Sequence, residues 1–243
     1  MERRNFAFGV GAAAVESLLF GDRIPHATAA AESEPRSVGR IRMVDTRIAK
    51  AAADLARTAS PPYLYNHAAR TYLFGALIGR ATKLKFDEEL LYLASILHDL
   101  GLTEQFMGTR AFEIEGAIAA EKFLRQQGLS VAKASVVWDG IAMHPLPISQ
   151  YKRPEIALVA AGAAADVVGA GLEAVSAADR DAVLQAFPRL GFKSKFVTSC
   201  ADVVRRYPRG AGRTFMRDIG ERKVPGFHAP NICDAIDQAP FGE

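Results

Sequence analysis

Four residues in this chain are of types that do chemistry together: His67, the adjacent pair His98–Asp99, and Asp166. His67 lies in line with Thr71, Phe74 and Ile78 at helical spacing, so its side chain points towards a core. His98 and Asp99 follow the apolar run "LASIL" and share the end of one expected helix, where two neighbouring side chains can reach one point. Asp166 sits in "LVAAGAAADVVGAG", a stretch apolar almost all round, with no cation on its own helix. A carboxylate buried there must be neutralised by a metal, a positive side chain or a proton. Taken as a set, two imidazoles and two carboxylates from three helices suit a divalent cation. Mixed nitrogen and oxygen donors favour zinc first, with iron or manganese as alternatives, over calcium.

The elements that must position these residues read as successive helices. "VDTRIAKAAADLARTA" repeats its apolar residues near every 3.6 positions, and "SPPYLYNHAARTYLFGALIGRAT" opens on a Ser60 cap with prolines at its first turn. "DEELLYLASILHDLG" starts at Asp87, carries acids in its first turn and is expected to stop at Gly101. "EIEGAIAAEKFLRQQG", "SVAKASVVWDGIAMH" and "PEIALVAAGAAADVVGAG" follow, and the alternating runs that mark strands are largely missing. The fold class is therefore all-α, a helical bundle with the metal site between helices. From about residue 172 shorter helices are expected, with "YPRGAGRTF" and "VPGFHAPN" irregular.

Composition sets the wider bounds. The chain has 243 residues, 49% hydrophobic and 23% charged, with a formal charge of +3. That is enough apolar material for a proper core, and the charge calls for neither a nucleic-acid nor a membrane partner. The two cysteines, Cys200 and Cys233, are read as unpaired thiols. At the N-terminus, Arg3 and Arg4 precede a mildly apolar stretch and then the small-residue pattern "HATAAA", the layout of a twin-arginine export signal. Residues 1–30 are thus expected to be a signal, 31–44 a linker and 45–243 a single helical domain. Location follows from the signal: periplasmic or secreted if it operates, cytoplasmic otherwise.

The ordered set H…HD…D resembles the signature of the HD-domain metal-dependent hydrolase superfamily, an all-α fold. Within it, "YNHAARTYLFG", "LASILHDLGLT", "FEIEGAIAAEKFLRQQG", "WDGIAMH" and "PEIALVAAGAAADVVG" resemble the cyanamide-hydratase-like group. The resemblance spans about residues 45–175. It implies metal ligands at His67, His98, Asp99 and Asp166, and addition of water to a nitrile-like carbon or hydrolysis of a related C–N group. Where nucleotide-directed members often carry a lysine or histidine after the HD-x-G turn, this chain has Leu102 and Thr103. Arg70 and Arg110 are the remaining cations that could meet phosphate, and both read equally well as solvated. A small-molecule C–N substrate is therefore ranked above a nucleotide or phosphate ester, whose hydrolysis is the alternative.

With an ion lowering the pKa of bound water, the proton returned to nitrogen is expected from His144, Asp99 or Glu115. Thr103 and Phe106 are the expected substrate contacts, Phe106 with Met107 at the mouth of the pocket. Trp138, Phe112 and Phe123 are read as core aromatics, and His26 and His228 are assigned no role. Oligomeric state is left open, a homo-oligomer included.

Overall fold

Helix α1 (Arg47–Ala59) is held at its start by the Thr46 side chain, which accepts from the Ala49 N–H, and buries Ala49, Ala52, Ala53 and Ala56. These alanines let it lie close on its neighbours. The computed structural model describes residues 35–212 and 214–241; the expected export signal, residues 1–30, lies outside them. Part of the expected linker does not behave as one. Residues Ser37–Val38 (β1) and Ile41–Arg42 (β2) form a small antiparallel hairpin, and Val38, Ile41 and Met43 are buried in the main core.

Helix α2 (Pro62–Ala81) is the centre of the molecule, buried along nearly its whole length. Proline occupies its first turn as expected, but Ser60 terminates α1 and gives α2 no side-chain cap. Helix α3 (Glu88–Leu97) begins at Asp87, whose carboxylate accepts from the backbone of Glu89 and Leu90. It ends at Leu97, four residues before Gly101, with His98 as its C-cap, and passes into a 3-10 turn at Leu100–Leu102. Gly101 is needed for space: a Cβ there would run into the Phe112 carbonyl and the Gly116 N–H.

Helices α4 (Phe112–Gln126) and α5 (Val131–Met143) pack as a pair, and α6 (Pro154–Val168) returns along α2. Contacts of α6 with α2 run backwards along α2: Leu158 meets Gly75, and Gly162 meets Thr71. The two helices are therefore antiparallel, and they touch through backbone. A Cβ on Gly162 would strike the Thr71 carbonyl, and one on Gly75 would come within 2.6 Å of the Leu158 carbonyl. One turn beyond that close approach, Asp166 of α6 reaches His67 and Arg70 of α2.

The C-terminal part is more regular than its sequence promised. Helices α7 (Ala177–Ala186), α8 (Phe192–Arg206), α9 (Met216–Lys223) and α10 (Ile232–Asp237) occupy it, and α8 is as long as α4. Helices α8 and α9 build a second core in which Phe192, Phe196, Cys200 and Val204 meet Tyr63, Leu64, Leu102 and Phe112. The main core lies among α1 to α6. No helix among the described residues is long and apolar enough to cross a membrane.

Candidate metal centre

His67, His98 and Asp99 come together between the two cores, each nearly inaccessible to solvent (1%, 1% and 3%). His67 projects from the second turn of α2, while His98 and Asp99 stand where α3 turns into the 3-10 turn. One ligand atom from each residue falls within 4.8 Å of the others. The two Nε2 atoms are 3.2 Å apart, and Asp99 Oδ2 is 3.5 Å from that of His67 and 3.3 Å from that of His98.

Proton positions follow from the groups behind the rings. His98 Nδ1 lies 2.7 Å from the Ser95 carbonyl oxygen, which can only accept, so that nitrogen carries hydrogen. His67 Nδ1 likewise donates to Asp166 Oδ2 at 2.7 Å. In the neutral rings both Nε2 atoms are then bare lone pairs, facing each other and a carboxylate. Neither oxygen of Asp99 has a hydrogen-bond partner among the described residues. Three buried acceptors converge with no donor between them, an arrangement that costs free energy until a positive charge fills it.

The electrostatics point the same way. Burial works to raise the Asp99 carboxyl, but His98 and then His67 outweigh it and hold it at about 2. Burial pushes His98 down, and the Asp99 carboxylate beside it more than reverses this, so its pKa is raised. His67 is lowered, with burial the largest cause. One cation is what the group lacks. The separations to Asp99 exceed the 2.7–2.9 Å of a charge-assisted hydrogen bond, so a shared proton satisfies them poorly. Two imidazoles and a carboxylate are a donor set for a divalent transition metal, and three protein ligands are the number found at catalytic sites that keep positions open.

Asp166 stands outside this group. Its Oδ1 accepts from Arg70 Nε at 2.8 Å and from Arg189 Nη1 at 2.7 Å. Its Oδ2 accepts from Arg70 Nη2 at 2.8 Å in addition to His67. Burial opposes its charge, yet the His67 and Arg70 hydrogen bonds keep its carboxyl well below the usual range. The expected fourth ligand is thus satisfied by positive side chains in this structure, and it fixes the tautomer and orientation of His67 from behind. Arg70, read from sequence as equally well solvated, is fully buried; it also donates to the Phe187 and Pro188 carbonyls.

The other expected site residues part company. His144, at the end of α5, lies beside the group with its ring 4.8 Å from that of His98 and edge-on to it. Its Nδ1 donates to the Ile141 carbonyl, and burial followed by the His98 charge lowers it to about 3. It is a neutral ring at pH 7, with no proton on Nε2 to give at the outset. Glu115 is turned away: it accepts from the Arg110 backbone and guanidinium, tying the loop before α4 to the helix. The Thr103 hydroxyl donates to the Leu100 carbonyl within its own turn. Phe106 packs against the main core. The rings that do meet the site are Phe192 and Phe196, with centroids 4.7 and 5.7 Å from His67, and Phe112, 5.6 Å from His144. No local signal marks Phe192 and Phe196 as site residues, because α8 reaches the site only through the tertiary fold.

Comparison with known families matches residues 64–182 to the HD domain. The matched segment runs from α2 into α7 and contains all four residues of the H…HD…D set. HD domains are generally metal-dependent hydrolases. A search of curated proteins found no match to the chain.

Proposed function

With an HD domain at residues 64–182 as the premise, we propose that the protein is a metal-dependent hydrolase or hydratase that adds water to a small C–N substrate of nitrile or cyanamide type. The observation that carries the reading is the convergence of His67 Nε2, His98 Nε2 and the unpartnered Asp99 carboxylate on one buried point. His67, His98 and Asp99 would hold a divalent ion there, and the chemistry it would supply is water acidified to near-neutral pKa beside a polarised electrophilic carbon.

The chain's own residues do the rest. Asp166, locked by Arg70 and Arg189, keeps His67 Nδ1 protonated and its Nε2 free to ligate. The Ser95 carbonyl does the same for His98. His144 offers its unprotonated Nε2 as an acceptor for the proton that water loses on attack, and passes that proton on to the substrate nitrogen. Phe112, Phe192 and Phe196 wall the site with apolar surface, which excludes bulk water and suits a small, uncharged substrate. Among the described residues, neither arginine weighed for phosphate faces the ligand group: Arg70 is spent on Asp166 and Arg110 on Glu115. That disfavours the phosphohydrolase alternative, which needs fixed positive charge at the reacting group.

The test is elemental analysis of the purified chain beside Asp99→Asn, followed by turnover assays on nitriles, cyanamide, small amides and phosphate esters. The expected result is about one equivalent of a transition metal, lost in the variant, with amide or ammonia appearing and no phosphate released. A chain that takes up no metal on reconstitution refutes the reading. Phosphate release without C–N turnover selects the alternative.

A further inference from the structure

A cavity of about 280 Å³ has Asp166 in its lining. It is bounded by the C-terminal end of α6, by α7 and by the start of α8, and Arg180, Arg189 and Lys193 line it. None of His67, His98, Asp99 or His144 is part of its wall. Asp166 is the one acid in the lining, and its charge is already covered by Arg70 and Arg189. Arg189 spends only Nη1 on Asp166, leaving Nε and Nη2 without hydrogen bonds among the described residues. Lys193 has no hydrogen bond or ion pair among them at all. Arg180 has just the loose 3.7 Å contact with its exposed neighbour Asp181. The lining also includes the apolar side chains of Phe74, Leu172 and Leu184.

From this we infer that the cavity is a binding site for a small phosphomonoester, separate from the metal centre. Uncommitted donors on two arginines and a lysine match a dianionic head with several acceptor oxygens. The apolar side chains take the organic remainder. The volume lies at the lower bound of ligand pockets, about 300 Å³, and so selects a small molecule. Because none of the metal-group residues lines the cavity, an ester bound here is not positioned as a substrate of that group. Its contact to Arg189 would place it three hydrogen bonds from His67, through Arg189 and Asp166.

The experiment titrates the full chain with phenyl phosphate, inorganic phosphate and phenol at constant ionic strength in chloride, by calorimetry. A parallel arm tests sedimentation with phosphatidic acid vesicles, which separates a soluble ester from a lipid headgroup. Arg180→Gln/Lys193→Gln is the matched variant; neither residue touches the metal group or Asp166. Saturable binding of phenyl phosphate is expected, tighter than inorganic phosphate and absent for phenol. Each charge removed should weaken it about tenfold, with metal content unchanged. Equal affinity in the double variant would place the ester elsewhere, at the metal centre included, and would overturn the assignment. So would capture by vesicles without binding of the soluble ester, or no binding above chloride.

Discussion

Replacing Asp166 by alanine separates a carboxylate that holds arginine from one that waits for an ion. Arg70 is fully buried, and two of its N–H groups point at Asp166. Without that partner the guanidinium keeps only the Phe187 and Pro188 carbonyls on Nη1. His67 Nδ1–H loses its acceptor as well. Arg189 can turn to solvent, its side chain being 31% exposed, and adds little. Removing one member of a buried pair costs about 3–5 kcal/mol, which for a domain of this size lowers Tm by about 6–20 °C. The assay is urea unfolding with chelator present, so that metal linkage does not enter. Arg70→Leu combined with Asp166→Ala should recover part of the loss, with a coupling energy of about 2–3 kcal/mol against the two single variants. A loss below about 1 kcal/mol for Asp166→Ala, with an additive double variant, would refute the pairing argument. It would return Asp166 to the ligand set as the sequence suggested.

Three further perturbations probe the site and its frame. Glu113 is buried, and burial raises its carboxyl to about 7; its Oε2 has no partner among the described residues. Between about pH 4.5 and 7 the folded chain then binds the proton that the unfolded chain has released, so stability falls as pH rises through that window, by about 3 kcal/mol from this residue. Glu113→Gln should flatten the fall, read as unfolding free energy at pH 5 and pH 8; parallel curves would contradict it. Gly162→Ala drives a methyl into the Thr71 carbonyl and should cost about 1–3 kcal/mol by overpacking, measured by thermal unfolding; an unchanged Tm would show that α2 and α6 separate freely. His144→Gln should keep its metal, by elemental analysis, while kcat falls about 10²–10⁴-fold; unchanged turnover would remove His144 from the proton path.

The sequence by itself determined the helices and singled out the residues that the fold brings together as a candidate metal group. Asp87 starts α3 where the sequence placed it, because capping is a local exchange between a side chain and the N–H groups two or three residues on. His67, His98 and Asp99 were legible because imidazoles and a carboxylate on apolar helices need a reason to be there. Asp166 was legible as a problem, a charge without a partner on its own helix, but not in its solution. Arg70 lies in another helix 96 positions away, and only the antiparallel contact through Gly75 and Gly162 brings it within reach. Glu115 and Thr103 had suitable chemistry, yet local hydrogen bonds claimed both, since a partner already in place costs less entropy to engage than a distant one. Phe192, Phe196 and the basic cavity beside Arg189 belong to elements that follow the motif, and their periodicity carries only the instruction to be helical. Which way those helices face is set by the burial of their apolar surface against Tyr63, Leu64 and Phe112, a non-directional force that acts only once the whole chain is folded.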